Sequence, residues 1–144
     1  MRRIRRFGAA RENPIYEART RDIVVRVTPT YQVEQSEPEE GKWFWAYTVE
    51  IENHGVETVQ LVSRHWVITD GLNRLEEVRG PGVVGEQPTL GPREAFRYSS
   101  GCPLTTPSGT MRGDYHMMTR DGDAFDVAIP EFSLDLPGAR RVVN

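Results

Sequence analysis

Glycines 80, 82 and 85 spell G-x-G-x-x-G, the spacing of a dinucleotide-binding fingerprint. In such a site the glycines lie between a strand and a helix whose first amides receive a pyrophosphate. Here the full stretch is Gly80-Pro81-Gly82-Val83-Val84-Gly85-Glu86-Gln87-Pro88, and Gly91-Pro92 follows. The next periodic segment reads as a strand, so the helix is missing, and with it the βαβ unit. A structural loop, a partner-binding loop and a nest of amides holding phosphate or pyrophosphate remain as readings. Glu86 would repel an anion unless it points away. Pro81 and Pro88 lower the entropy lost on ordering, so we expect an ordered surface loop between two strands. Gly80, Gly82 and Gly85 would set its backbone, and Glu86 and Gln87 would be presented to a partner.

Other reactive residue types are scattered. His54, His65, His116 and Cys102 are the soft or borderline metal ligands, and none stands at a C-x-x-C or H-x-x-x-H spacing. His65, beside Trp66, reads as a hydrogen-bonded structural histidine. Glu37, Glu39 and Glu40 sit in a polar connector and read as a solvated run rather than a magnesium or cobalt site. Ser99-Ser100-Gly101-Cys102 holds nucleophile types but lacks the G-x-S-x-G elbow. No catalytic residue, metal ligand or cofactor is therefore expected, and the chain reads as a non-enzyme. Trp43, Trp45, Trp66, Tyr47 and Tyr98 follow strand periodicity and read as core rather than as a base-stacking platform.

The elements that position these residues are strands. Ile23–Pro29 alternates β-branched residues, and Tyr31–Gln35 is a candidate continuation. Trp43–Asn53 puts Trp43, Trp45, Tyr47, Val49 and Ile51 on one face, the expected core face. Asn53-His54-Gly55 carries tight-hairpin chemistry and leads to Val59–Thr69, apolar on both faces and hence central. Asp70-Gly71 turns the chain into Leu72–Val78. After the glycine stretch come Glu94–Ser99, a turn-rich passage through Gly101-Cys102-Pro103, then Thr110–Met118 and Ala124–Ile129. Pro130 breaks the ladder before a last edge strand with Phe132, Leu134 and Leu136. No segment sustains helical periodicity. The pattern predicts an all-β antiparallel sandwich of about seven or more strands.

The 144 residues fit one domain, and the net charge of −3 gives no global case for nucleic acid. Residues 1–20 carry six arginines and no apolar face, so they read as a mobile basic extension, dispensable for folding. Residues 21–137 form the expected domain and 138–144 a tail. No apolar run is long enough for a transmembrane helix, no secretory h-region follows the first arginines, and the single cysteine suits a reducing cytoplasm.

Beyond the loop, many spaced residues resemble the ApaG family. They include Gln35-Ser36-Glu37-Pro38, Phe44 with Ala46-Tyr47, Val59-Gln60-Leu61, Arg64 with Trp66, and Ile68-Thr69-Asp70. Gly82-Val83-Val84-Gly85-Glu86-Gln87-Pro88, Phe96 with Tyr98, Ser100-Gly101, and Met111, Gly113, Tyr115 and Met117 continue the pattern, which runs from Ile23 to Leu136. The resemblance implies a fibronectin type III-like, immunoglobulin-like sandwich and no catalytic set. It suggests a protein-binding role, since such domains occur fused to interaction modules, and a loose link to cobalt and magnesium tolerance. The leading expectation is a protein-interaction module with an unidentified protein partner, possible self-pairing through a sheet edge, and no membrane or nucleic-acid partner. The alternative is a small-ligand binder taking phosphate, pyrophosphate or a divalent cation at the glycine loop. One departure from the family is Pro92-Arg93, where glycine is usual. Arginine resists positive φ, so a type I turn or a reshaped loop is expected there.

Overall fold

The computed structural model describes residues 14–138. Among them nine strands run in chain order: β1 Tyr16–Thr20, β2 Ile23–Tyr31, β3 Trp43–Asn53, β4 Val59–Asp70, β5 Leu75–Pro81, β6 Thr89–Leu90, β7 Ala95–Leu104, β8 Gly109–Thr119 and β9 Ala124–Leu134. Helical structure among the described residues is limited to two single 3-10 turns, Val33–Gln35 and Pro38–Glu40. One sheet has the order β1-β2-β3-β7, the other β5-β4-β8-β9 with β6 on β4, and every pairing is antiparallel. Without β1 and β6, three strands oppose four, as in a fibronectin type III-like sandwich. β4 is central in its sheet, as its two apolar faces imply.

The core lies between the sheets. Trp45, Tyr47, Val49 and Ile51 of β3 are buried with Val25 and Val27, against Leu61, Trp66, Met111, Tyr115, Met117, Val127 and Phe132 of the other sheet. The Tyr47 ring meets Trp66 edge-on at 5.3 Å and Phe132 at 5.8 Å, so aromatics from both sheets interlock at the centre.

Four features differ from the sequence reading. First, Tyr16–Thr20, expected within the basic extension, is strand β1. Tyr16, Ala18 and Thr20 turn inward on alternate positions, Tyr16 packs on Phe132, and the Thr20 hydroxyl accepts the Ala128 N–H from the other sheet. Such a short, weakly apolar pattern carries little signal. Residues 1–13 and 139–144, the rest of the expected extension and tail, lie outside the described residues. Second, Asn53-His54-Gly55 is not a hairpin turn but the crossover between sheets. Buried Asn53 staples it: Nδ2 donates to the carbonyls of Glu57 and Leu90, and Oδ1 accepts the Gly55 N–H. Third, Gly101-Cys102-Pro103 belongs to β7. Phe44 directs its N–H to Ser36 Oγ and its carbonyl to Gln32, away from β7, so Pro103 opposite it lies at a non-bonded position on the free edge, where no amide is needed. Fourth, Pro130 does not end β9. The register slips between Ile129 and Phe132, and this bulge absorbs the proline on an edge strand.

Arg93 departs from expectation as well: it takes φ +68. Its N–H donates to the Asn53 carbonyl and Glu94 N–H to the Gly91 carbonyl, which holds the turn left-handed despite the side chain. Arg93→Gly should therefore raise stability by about 1 kcal/mol, the left-handed penalty less glycine's entropy, read as a higher urea midpoint with an unchanged slope.

Candidate functional site

The glycine stretch is built around a fault in β4. The β4–β8 register shifts between Leu61 and Ser63, so Val62 bulges out of the ladder. Before the bulge Val59 and Leu61 face the core. After it Arg64, Trp66 and Ile68 do, paired across β8 with Tyr115, Gly113 and Met111. The bulge thus brings a cation onto the inner face and leaves a carbonyl to satisfy. The stretch answers both needs. Gly82 N–H and the Gln87 side-chain amide both donate to the Val62 carbonyl, at 2.8 Å each. Leu61 N–H donates to the Pro88 carbonyl, and Gln60 Nε2 to the Gln87 carbonyl. Arg64 Nη1 donates at 3.0 Å to the carbonyls of both Pro81 and Gly82.

Each predicted residue of the stretch can now be placed. Gly80 lies in β5 opposite Arg64, and a Cβ there would stand 3.0 Å from both terminal guanidinium nitrogens, so the bare glycine seats the arginine. Gly82, at φ +56, leaves no room at all: its Cβ would stand 2.1 Å from the Glu86 carbonyl oxygen. Val83 and Glu86 exchange both backbone hydrogen bonds around Val84 (φ +41) and Gly85 (φ +82), the sign pattern of a type I′ turn. Glu86 and Gln87 are both exposed, and the Gln87 side-chain amide is turned back onto the bulge. The stretch joins β5 to β6, and no helix follows it. The amides of Gly82, Val83 and Glu86 already serve internal carbonyls, which removes most of the nest that a phosphate would use.

The stretch walls one end of a seam between the free edges of β5 and β7. A cleft of about 400 Å³ opens there, lined by Arg64, Trp66, Val78 and Val83 on one side and Tyr47, Tyr98, Ser100 and Cys102 on the other. A second cleft of about 510 Å³ continues it past Ile68, Glu76 and Pro103, which line both, to Trp43, Phe44, Leu75 and Leu104. Val84 and Leu75 are 53% and 61% exposed on its rim, and Leu72, in the turn before β5, is exposed as well. Periodicity marked Arg64 and Tyr98 only as strand residues, and Cys102 read as part of a turn-rich passage. The phase switch at Val62 that gathers them could have been suspected from the two apolar faces of this strand.

The first cleft is floored by phenols. The hydroxyls of Tyr98 and Tyr115 are hydrogen-bonded to each other, and the Tyr47 hydroxyl bonds Ser100. Burial raises the pKa of all three tyrosines and pushes the Cys102 thiol up to about 12. Cys102 is thus a neutral thiol rather than a nucleophile at physiological pH. These four groups ionise more readily when the chain is unfolded, so at high pH the unfolded state holds fewer protons than the native one. Stability should then fall as pH rises above the ordinary values of 9.0 for the thiol and 10.0 for the phenols. A melting temperature that drops steadily over that window, with Cys102 unlabelled by a thiol reagent until the protein unfolds, is the expected result.

The histidines lie elsewhere. His65 and His116 are on the outer face of the β4–β8 sheet, opposite in phase to Arg64 and Tyr115. His65 bonds Glu77 at 3.3 Å, His116 bonds Asp126 at 2.9 Å, and His54 bonds Glu52 at 2.7 Å. Each histidine has its own carboxylate, and Cys102 is on the inner face of the other sheet. Among the described residues no group of three His, Cys, Asp or Glu could hold a metal ion, and no helix is long and apolar enough to cross a membrane.

Comparison with known proteins places this geometry. A family model described as the ApaG domain matches residues 33–119, which include the bulge, the glycine stretch and most of the seam. A protein named ApaG from Caulobacter vibrioides is 67% identical over 140 residues, covering 97% of this chain and 99% of its own. An ApaG from a Methylobacterium species is 59% identical over 130 residues, 90% of this chain and 100% of its own. The crystal structure of a Bordetella pertussis protein designated ApaA superposes with a TM-score of 0.80 at 51% identity, over 88% of this chain and 98% of that one. On the family match and on relatives that align along nearly their whole length, this chain belongs to the ApaG domain family.

Proposed function

We propose that this chain is a non-catalytic, cytoplasmic interaction module that binds a protein partner along the β5–β7 seam. The observation that carries the reading is the rim. Leu75 and Val84 are large, exposed apolar residues, they border two continuous clefts, and the strands on either side have free edges. Apolar rims beside unpaired strand edges suit strand addition or side-chain insertion by a partner. Val84 supports this further. A β-branched residue at φ +41 costs about 1–3 kcal/mol, and here it holds an apolar side chain out on the rim. The neutral, buried Cys102 and the separately paired histidines support the non-catalytic half of the reading.

The test is affinity capture with four baits: wild type, Leu75→Asp, Val84→Asp and Val56→Asp. Val56 is 90% exposed in the loop between β3 and β4, away from the seam, and serves as the control. A protein captured by wild type and Val56→Asp, lost from both rim variants, and rebinding as a purified component supports the proposal. Equal capture by all four baits would place the partner face elsewhere.

A further inference from the structure

The seam's first cleft holds a feature that protein docking along the rim does not use. Arg64 is half-buried on the inner face of a sheet, and it makes no ion pair with any described residue. Buried or half-buried arginines are ordinarily paired, because a desolvated charge is costly. Its acceptors among the described residues are two backbone carbonyls, both on Nη1, which leaves Nη2 and Nε directed by a rigid, planar fork. Glu76 lines the same cleft opposite Ile68, four positions along β4, but makes no ion pair with the guanidinium.

A second observation points into the same space. Tyr98 is 8% exposed and Tyr115 0%, and their hydroxyls bond each other. One hydroxyl donates within that pair. The proton of the other has no acceptor among the described residues. Arg64 and Tyr115 are cross-strand neighbours on β4 and β8, and Tyr98 lines the cleft that Arg64 lines. A single cation and a surplus buried hydroxyl donor therefore converge on one end of a cleft of about 400 Å³, whose apolar walls include Trp66, Val78, Ile68 and Val83 and whose other end carries Glu76.

We propose that this cleft binds a small apolar monocarboxylate, with the carboxylate on Arg64 and the Tyr98–Tyr115 hydroxyl pair and the apolar body against Trp66 and Val78. A carboxylate matches the arginine fork bidentately and has a lone pair left for the phenol. One negative charge balances the one cation. A phosphate dianion would bring a second charge into an aromatic-lined cleft with nothing to meet it. The cleft's size and its mix of apolar walls with few polar groups are those of a small-molecule site. The glycine stretch takes part as a scaffold: Gly80 gives the guanidinium its seat and the Pro81 and Gly82 carbonyls aim it. This inference does not rest on the proposed protein partner, and either can fail alone.

The probes are 3-phenylpropionate, its neutral amide, and phenethyl phosphate, titrated into the full chain at neutral pH. Binding is followed by calorimetry and by nitrogen-edited spectra of the Arg64 Nε and Trp66 indole groups. The carboxylate should bind saturably with a Kd of roughly 0.1–1 mM, the range that ligand efficiency allows a probe of this size, and should shift both signals. The amide and the phosphate ester should bind at least about tenfold more weakly. Arg64→Gln should lower carboxylate affinity roughly ten- to hundred-fold and Tyr98→Phe several-fold, with both variants retaining the wild-type dichroism spectrum. If Arg64→Gln fails to fold, the three ligands on wild type and the Tyr98→Phe variant decide the matter. No saturable binding at about 10 mM, amide or phosphate binding equal to the carboxylate, or full affinity in a folded Arg64→Gln would overturn the assignment.

Discussion

Trp45→Ala should lower unfolding stability by about 3–5 kcal/mol, read as a fall in urea midpoint at unchanged slope. The size follows from what the side chain does. Trp45 is 1% exposed and is the largest of the fully buried side chains. Its ring meets Tyr31 edge-on at 5.4 Å, and its indole N–H donates to the Asp135 carbonyl at 2.9 Å. Truncation would open a cavity between the sheets and remove the indole hydrogen bond that ties β3 to the chain leaving β9. Trp45→Phe keeps most of the volume and loses the hydrogen bond, so its cost should be smaller, about 1–2 kcal/mol. An unchanged midpoint for Trp45→Ala would mean that this face of β3 is solvated.

Gly82→Ala should be the most damaging single methyl in the glycine stretch, costing about 3 kcal/mol or more, whereas Gly85→Ala should cost about 1 kcal/mol. Both glycines have positive φ, so torsion alone does not separate them. Space does. A Cβ on Gly82 collides with the Glu86 carbonyl at 2.1 Å, while one on Gly85 meets nothing within 4 Å. Relieving the clash moves the Gly82 amide off the Val62 carbonyl and the Gly82 carbonyl off Arg64. Gly82→Ala should therefore also loosen Arg64, visible as a shifted and broadened Nε signal that Gly85→Ala leaves in place. Equal costs for the two variants would show that torsion, not packing, governs the stretch. Gly80→Ala falls between them, because the guanidinium it would touch is the end of a long side chain.

Strand alternation was strong enough in β2, β3 and β8 to place the core. Trp45, Tyr47, Val49 and Ile51 are all buried on the face where periodicity put them, and β3 spans Trp43–Asn53 as read. What stayed hidden depends on contacts distant in sequence. Tyr16–Thr20 becomes a strand because β2 and β9 supply partners. Asn53 reads locally as a turn residue and instead ties two sheets together. Arg93 tolerates a left-handed torsion because Asn53 accepts its amide. Gly80, Gly82 and Gly85 announce themselves in the sequence, but their purpose does not. That purpose is set by Val62, whose bulge leaves no one-dimensional mark beyond apolar residues on both faces of β4. The same bulge brings Arg64 inside, which no period-2 reading of an intact strand predicts.

The central claim is that the glycine stretch folds onto its own bulge and its own arginine and is not a phosphate cradle. Calorimetric titration of the full chain with pyrophosphate, ATP and NAD tests it most directly. With the amides of Gly82, Val83 and Glu86 committed to internal carbonyls and no helix behind them, the account predicts heats no larger than dilution for all three ligands. Saturable micromolar binding of any of them, abolished by Gly85→Ala, would contradict it.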